Sequence, residues 1–360
     1  MKTHRIPGFD LARAYAIFGM FIVNFNTVFG NVTSQEGLFG LLNAFNGNSS
    51  VLFVILAGMG VSLMTSQALL QPQQQPQSKA IVLKRSWFLF VFGLLFFLWW
   101  PADILHFYGG YMHLAAFLLF VPRSTLLWTA FGAILVFHLL WLFIPYDTGW
   151  DFQTFAYQDF WTVTGFLRNT FYNGWNPIFP WLAFFLLGMF LGRLNWQKHQ
   201  TAQQTITIGA LVYVLFRVFQ YLLTLRDIHP DIKLYMNADY LPPFLPFMLS
   251  TASFSLFIIG LSIALGKRAE EKTWLRVLVQ TGQMTLSHYC LHLTLGLWGL
   301  ACLSRKSLSL DLILQPPSSA WLILGYALGY FLLTVIFSAL WRRYFSLGPM
   351  EWLMRKLTKT

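Results

Sequence analysis

The chain has 360 residues, of which 56% are apolar and only 10% are Asp, Glu, Lys or Arg, against roughly 25% charged in a soluble domain. With 37 Phe and 15 Trp, it carries more apolar surface than a water-soluble core of this size can hide, which excludes a soluble enzyme, a disulfide scaffold and a disordered chain. The 24 Lys and Arg against 13 Asp and Glu leave +11, and the placement of that charge along the chain assigns it to a membrane surface rather than to nucleic acid.

A hydrocarbon core of ~30 Å takes about 20 apolar residues per helix. The long apolar runs predict ten spans, near 9–30, 48–67, 86–101, 104–121, 125–145, 176–194, 205–225, 243–265, 277–303 and 319–341. The runs are continuous rather than alternating, which argues against a porin-like barrel. The expectation is an all-α, polytopic helix bundle forming a single transmembrane domain over 1–360. The third span is short and Pro101 ends it. The linker from Gln71 to Gln77 is a low-complexity Gln/Pro tract and is expected to be mobile. The segment 146–175 is the longest outer loop, aromatic and acidic, and is expected to rest on the membrane surface. Gly188-xxx-Gly192 and Gly325-xxx-Gly329 would let helices approach closely, and a homodimer stands among the admitted partners.

With the N-terminus placed inside, seventeen of the 24 Lys and Arg fall on inner segments and five on outer ones, with Arg13 and Arg217 inside spans. Nine acids, Glu36 and Asp311 among them, fall outside, whereas Glu270, Glu271 and Glu351 fall inside. This asymmetry follows the positive-inside rule for ten spans with both termini cytoplasmic. Asp10 and Arg13 interrupt the first hydrophobic stretch, so it does not read as a cleavable signal. Cys290 and Cys302 lie in or beside one span and imply no disulfide framework. The sequons at Asn31 and Asn48 are of the kind that occur by chance. No strong internal repeat is seen, which weakens an inverted-repeat transporter.

Ionisable residues inside spans are costly and call for a function or a partner. In span one, Asp10, Arg13 and Asn24 share a face, since 14 residues make about 3.9 turns; Asp10 and Arg13, three apart, read as a structural ion pair. In span four, Asp103, His106 and His113 form a stripe. An Asp beside a His can orient it as a general base, or Asp103 can simply cap the helix start. His138 in span five is isolated and reads as structural. In span seven, Tyr213, Arg217 and Gln220 form a stripe in which Arg217 needs a carboxylate, carbonyls or an anionic ligand. In span nine, Thr285, His288 and His292 line up; the histidines read equally as catalytic or as interhelical hydrogen-bonders. Without a third ligand, and without a Glu after the first His, no metal site is expected. The stripes together predict a polar cavity within the bundle. No Walker loop, nucleophile elbow, zincin motif or dinucleotide fingerprint is found in an appropriate context.

The opening Arg5-Ile-Pro-Gly-Phe-Asp10-Leu-Ala-Arg13, running on to Asn24, resembles that of the YeiB-like family of bacterial membrane proteins, as does Asp103-Ile-Leu-His106-Phe-Tyr-Gly. Its C-terminal part is known as domain of unknown function 418, and its closing signature resembles Gly282-Gln-Met-Thr-Leu-Ser-His-Tyr289 and Gly348-Pro349-Met-Glu351-Trp352. Ala14 stands where the family usually has Gly. The family is similar to a wider group of transmembrane acyltransferases, including heparan-α-glucosaminide N-acetyltransferases and acyltransferase-three proteins. In that group the position of Asn24 is Asn in the heparan type and His in the acyltransferase-three type, whose later S-x-x-x-Y-x-x-H pattern resembles Thr285 to His292.

The resemblance implies a bacterial, multi-pass protein of the cytoplasmic membrane, with a cytoplasmic acyl-CoA as donor and an extracytoplasmic small-molecule acceptor such as a sugar or polar lipid. An amide is not a base, so that role falls to His106, His113, His288 or His292, with Asp103 as orienting group and Asn24 as oxyanion donor. Lys84, Arg85 and Arg123 at the inner rim are the expected contacts of the donor phosphates, although ordinary positive-inside anchoring explains any one of them. A small-metabolite transporter and a non-catalytic membrane scaffold are the rival expectations.

Overall fold

The computed structural model describes residues 6–268, 272–308 and 316–359. Lys2, Arg5, Glu270, Glu271 and Asp311 of the charge count lie outside the described residues. In chain order the helices are α1 (Pro7–Phe29), α2 (Gly37–Asn43), α3 (Asn48–Met64), α4 (Ser66–Leu70), α5 (Gln75–Phe97), α6 (Leu105–Ala115), α7 (Arg123–Phe143), α8 (Val163–Arg168), α9 (Ile178–Gly192), α10 (His199–Thr224), α11 (Pro230–Met236), α12 (Leu245–Gly266), α13 (Thr273–Gly282), α14 (Thr285–Leu291), α15 (Leu297–Ser304), α16 (Ala320–Tyr344) and α17 (Pro349–Thr358). A π-helical turn, His292–Gly296, joins α14 to α15 in one span. The strands are the two-residue pair Trp150–Asp151 and Ala156–Tyr157.

Eight helical stretches among the described residues are long and apolar enough to cross a membrane, and a ninth arises if α8 with its following turn and α9, bent by 46°, count as one. Outward faces carry Trp87, Val91 and Leu95 on α5, Trp128 and Phe131 on α7, Leu211, Val214 and Leu215 on α10, and Leu332 and Ile336 on α16, all exposed. Apolar faces this extensive are stable only against lipid. The chain is thus a multi-pass membrane protein.

Of the ten expected spans, 176–194 holds the 15-residue α9, long enough only together with the bent segment before it, and 104–121 is too short altogether. Its helix, α6, has 11 residues, about 16 Å of rise. Antiparallel to α5, Gly93 lies against the His106 backbone, Ser86 bonds His113, and Lys79 Nζ sits 4.1 Å over the Phe117 ring. The Gln/Pro tract expected to be mobile is ordered as a short 3₁₀ turn, Pro72–Gln74, running into α5 with Pro76 in its first turn, where a missing N–H costs nothing. The close approach expected at Gly188 is made within the chain: a Cβ there would lie 2.1 Å from the Ile55 carbonyl of α3, while Gly325 and Gly329 face open space.

The 146–175 segment is a folded cap. Arg168 Nη2 donates to both carboxylate oxygens of Asp159 at 2.6 and 2.7 Å and its Nε to the Tyr157 hydroxyl at 2.8 Å. Burial pushes the Tyr157 phenol up to about 12, against the opposing pull of Arg168. Trp150 Nε1 donates to the Asn173 carbonyl at 2.6 Å, and Asn173 Nδ2 to the carbonyls of Tyr146 and Thr148. These bonds satisfy a loop's backbone where it lies over the bundle.

Candidate functional site

The three signature segments meet around α14. Asp10, fully buried, accepts from Arg13 Nη1 at 2.6 Å and from Gln283 Nε2 at 3.2 Å. Gly282 is required by this contact, because a Cβ would lie 1.8 Å from the Asp10 carbonyl oxygen. From the other side, Glu351 of α17 accepts from the backbone N–H groups of Leu286 and Ser287 at 2.7 and 3.2 Å and from Ser287 Oγ at 2.5 Å. A carboxylate here satisfies donors that the first turn of a helix leaves orphaned. Burial raises the Glu351 carboxyl above the usual carboxylate range, and those donors oppose the rise.

The two histidines of α14 and its π-turn face different partners. His288 Nε2 lies 2.8 Å from Ser338 Oγ, which in turn lies 2.9 Å from the Thr334 carbonyl. His288 therefore ties α14 to α16. His292 Nδ1 lies 3.2 Å from the His288 carbonyl, which only accepts. The proton is on Nδ1, leaving Nε2 of the neutral ring to accept from Asn24 Nδ2 at 2.7 Å. The π-turn that begins at His292 resets the face presented by the rest of the span, a device common at functional sites.

A second chain of polar groups crosses from α14 to α6. Tyr289 donates its hydroxyl proton to Asp103 Oδ1 at 2.7 Å and accepts from the Ile104 N–H at 3.2 Å. Asp103 Oδ2 accepts from the His106 backbone N–H and faces His106 Nδ1, both at 3.1 Å. Capping and orienting, the two readings left open for Asp103, are thus both realised by one carboxylate. Gly93 makes room for it: a Cβ there would lie 2.1 Å from His106 N and 2.7 Å from Asp103 Oδ2. His106 Nε2 is buried without a hydrogen-bond partner, against Phe97, Phe107 and Phe160.

Both chains end on one cavity of about 460 Å³, within the range of small-molecule sites. Its wall includes Asn46, Trp175, Asn176, Asp239 and Tyr240, Asn24, Tyr108 and Tyr289, and Thr285, Leu286 and Met354. Asn176 Nδ2 donates to the Tyr240 hydroxyl at 2.6 Å. Burial raises the Asp239 carboxyl above its usual range, with Asn237 opposing.

Of the expected catalytic residues, Asn24 reaches the wall, while Asp103, His106, His288 and His292 lie one layer behind it. His113 is apart, 3.4 Å from Ser86 Oγ and edge-on to the exposed Trp87. Arg217 is exposed on α10, donating to Tyr213 at 3.4 Å and Gln220 at 3.1 Å, so the span-seven stripe does not line the cavity. His138 joins the Ile134 carbonyl to the Tyr235 hydroxyl. Lys84 is exposed, Arg85 Nη1 lies 3.0 Å from the Met64 sulfur, and Arg123 donates to the Arg193 carbonyl at 2.5 Å beside a second hollow lined by Ser62 and Ser66. Among the described residues no group of three or more His, Cys, Asp or Glu is placed to hold a metal ion. Ser338 was not singled out from sequence, and Tyr289 and Glu351 entered only as members of the closing signature, with no role assigned. Tyr289, three residues before His292, is the one whose helical spacing carried a signal.

Two family models match the chain. One, described as heparan-alpha-glucosaminide N-acetyltransferase, catalytic, covers residues 5–222; the other, protein of unknown function (DUF418), covers residues 191–360. Asn24, Asp103 and His106 fall in the first region and Tyr289, His292 and Glu351 in the second, so the cavity is built from both. The chain is also similar to an uncharacterized 39.9 kDa protein in the amylase 3′ region of Bacillus acidopullulyticus, 26% identical over 98% of this chain and 94% of that one. With more than half its length matched by one model and its C-terminal part by the other, the chain belongs to the heparan-α-glucosaminide N-acetyltransferase-like group of transmembrane proteins, as a DUF418/YeiB-like member.

Proposed function

We propose that this chain is a transmembrane acyltransferase that takes an acyl group from a cytoplasmic acyl-CoA and passes it to an acceptor entering from the opposite face of the membrane. The observation that carries the reading is one cavity lined by Trp175 and Tyr240, by Thr285 and Met354, and by Asn24, whose amide is bonded to His292. One Asn24 N–H is committed to His292, which fixes the plane of the amide. The second can donate to the oxyanion that forms as an acceptor attacks a thioester carbonyl, a contribution of about 10²- to 10³-fold for one such donor. The aromatic and amide groups around Trp175 suit a sugar or a polar lipid headgroup.

Acetyl-CoA added to the purified protein is expected to raise its melting temperature and to be consumed only when an acceptor is present. Affinity should fall when Lys84 and Arg85 are both replaced by Ala, and should weaken with salt, since exposed charge pairs are screened. Acetyl-CoA that neither binds nor reacts ends this reading. The same cavity favours a small-metabolite transporter next, which substrate flux in vesicles without acyl-CoA would reveal. Sidedness has its own test. The seventeen-to-five division of Lys and Arg predicts the 68–85 segment in the cytoplasm and the 146–175 cap outside. Impermeant-thiol labelling of single cysteines introduced in each should find them on opposite faces; labelling of the cap from the cytoplasm overturns the arrangement.

A further inference from the structure

We propose that Tyr289 is the proton-transfer group that faces the reactants in this cavity, and that Asp103 and His106 act through it as positioning residues. Tyr289 lines the cavity, whereas Asp103 and His106 are fully buried behind it. Any proton exchanged between Asp103 and the cavity by these groups therefore passes through the Tyr289 hydroxyl. The arrangement around that oxygen is built for this. Both donors from His106 fall on Asp103 Oδ2, at 3.1 Å each, so Oδ1 is left to the Tyr289 proton at 2.7 Å. The Ile104 N–H, 3.2 Å from the phenol oxygen, stabilises negative charge developing there. The remaining lone pair of the phenol is free for a group in the cavity. Asn24, across the same cavity, cannot serve as a base, and His292 behind it spends its one accepting nitrogen on Asn24.

The chemistry rests on the acyl-transfer reading and balances as follows. An acceptor hydroxyl or amine attacks the thioester carbonyl. Its proton moves to Tyr289 Oη as the Tyr289 proton moves to Asp103 Oδ1. The new C–O or C–N bond forms, the C–S bond breaks, and Asp103 returns its proton through Tyr289 to the leaving thiolate. The protein ends as it began, and no oxidant or further reactant is consumed.

Two measurements separate this proposal from the reading it rests on. The first needs no turnover. In the full-length, detergent-solubilised chain, N-acetylimidazole should acetylate Tyr289 roughly a hundredfold faster than Tyr108, the low end of what a positioned base contributes. Tyr108 lines the same cavity and is less buried than Tyr289, so exposure alone would give the opposite order. Asp103→Asn should bring the two rates together. Peptide mass spectrometry reads both sites, and a wild-type Tyr289 rate no higher than that of Tyr108 overturns the proposal even if no variant folds. The second is Tyr289→Phe, which keeps the ring packed against Phe96 and His292. It should lose about 10²- to 10⁴-fold in acyl transfer with acetyl-CoA binding unchanged; a variant with full turnover overturns the proposal. If the wild type itself turns over no acetyl-CoA, the acyltransferase reading falls, while the acetylation rates still decide whether Asp103 activates Tyr289.

Discussion

Asn24→Ala and His292→Ala are each expected to cut acyl transfer by about 10²- to 10³-fold while acetyl-CoA binding and folded yield stay near wild type. Asn24 sits in the cavity wall with its amide fixed by the 2.7 Å bond to His292, and either change removes or frees the donor aimed at the reacting carbonyl. His106→Ala should act more weakly, because the Ile104 and Tyr289 contacts to one another and to Asp103 survive it. His288→Ala should lower stability through the lost bond to Ser338, and His113→Ala, against Ser86 and Trp87, should be silent. Steady-state rates with binding isotherms for the five variants check the order. Full acyl-transfer activity in both Asn24→Ala and His292→Ala would remove that pair from the reacting machinery.

The largest loss of stability is expected from Arg13→Gln. Asp10 is 1% exposed and Arg13 23%. Removing the arginine takes the 2.6 Å ion pair away from a buried carboxylate, and breaking a buried pair from one side costs about 3–5 kcal/mol. Asp10→Asn should cost less, since the guanidinium left behind already reaches out of the protein and a long side chain can extend further. Asp10→Asn combined with Arg13→Gln should be more stable than Arg13→Gln alone, because both charges of the pair are then removed together. Melting temperatures and folded yield in detergent for the three variants decide it; a double variant no better than the worse single means that the pair is not the reason these residues sit here.

What the sequence determined by itself was the solvent and the class of fold. Twenty-residue apolar runs, whose backbone must be satisfied internally in lipid, admit only helices, and helices occupy all ten predicted stretches. The Asp10–Arg13 pair was legible for the same kind of reason: three residues apart on one helix, two opposite charges have few other places to go. The opening and closing signatures were legible too, as a resemblance to a family that the chain proves to belong to. Local pattern failed where partners come from elsewhere in the chain. Periodicity placed Asp103, His106 and His113 on one stripe, yet Asp103, just before α6, turns to Tyr289 with His106 bonded behind it, and His113 turns to Ser86 of α5. It placed His288 and His292 together as a pair, yet the tertiary structure sends one to Ser338 and the other to Asn24, 268 positions away in sequence. It placed Arg217 in a polar cavity, yet α10 packs only its Gly209 side against α12 and leaves Arg217 outside. A helical stripe fixes which residues share a face; only the packing of one helix against another decides what that face meets, and it was this that put Asn24 and Tyr289 in the cavity wall and the histidines behind them.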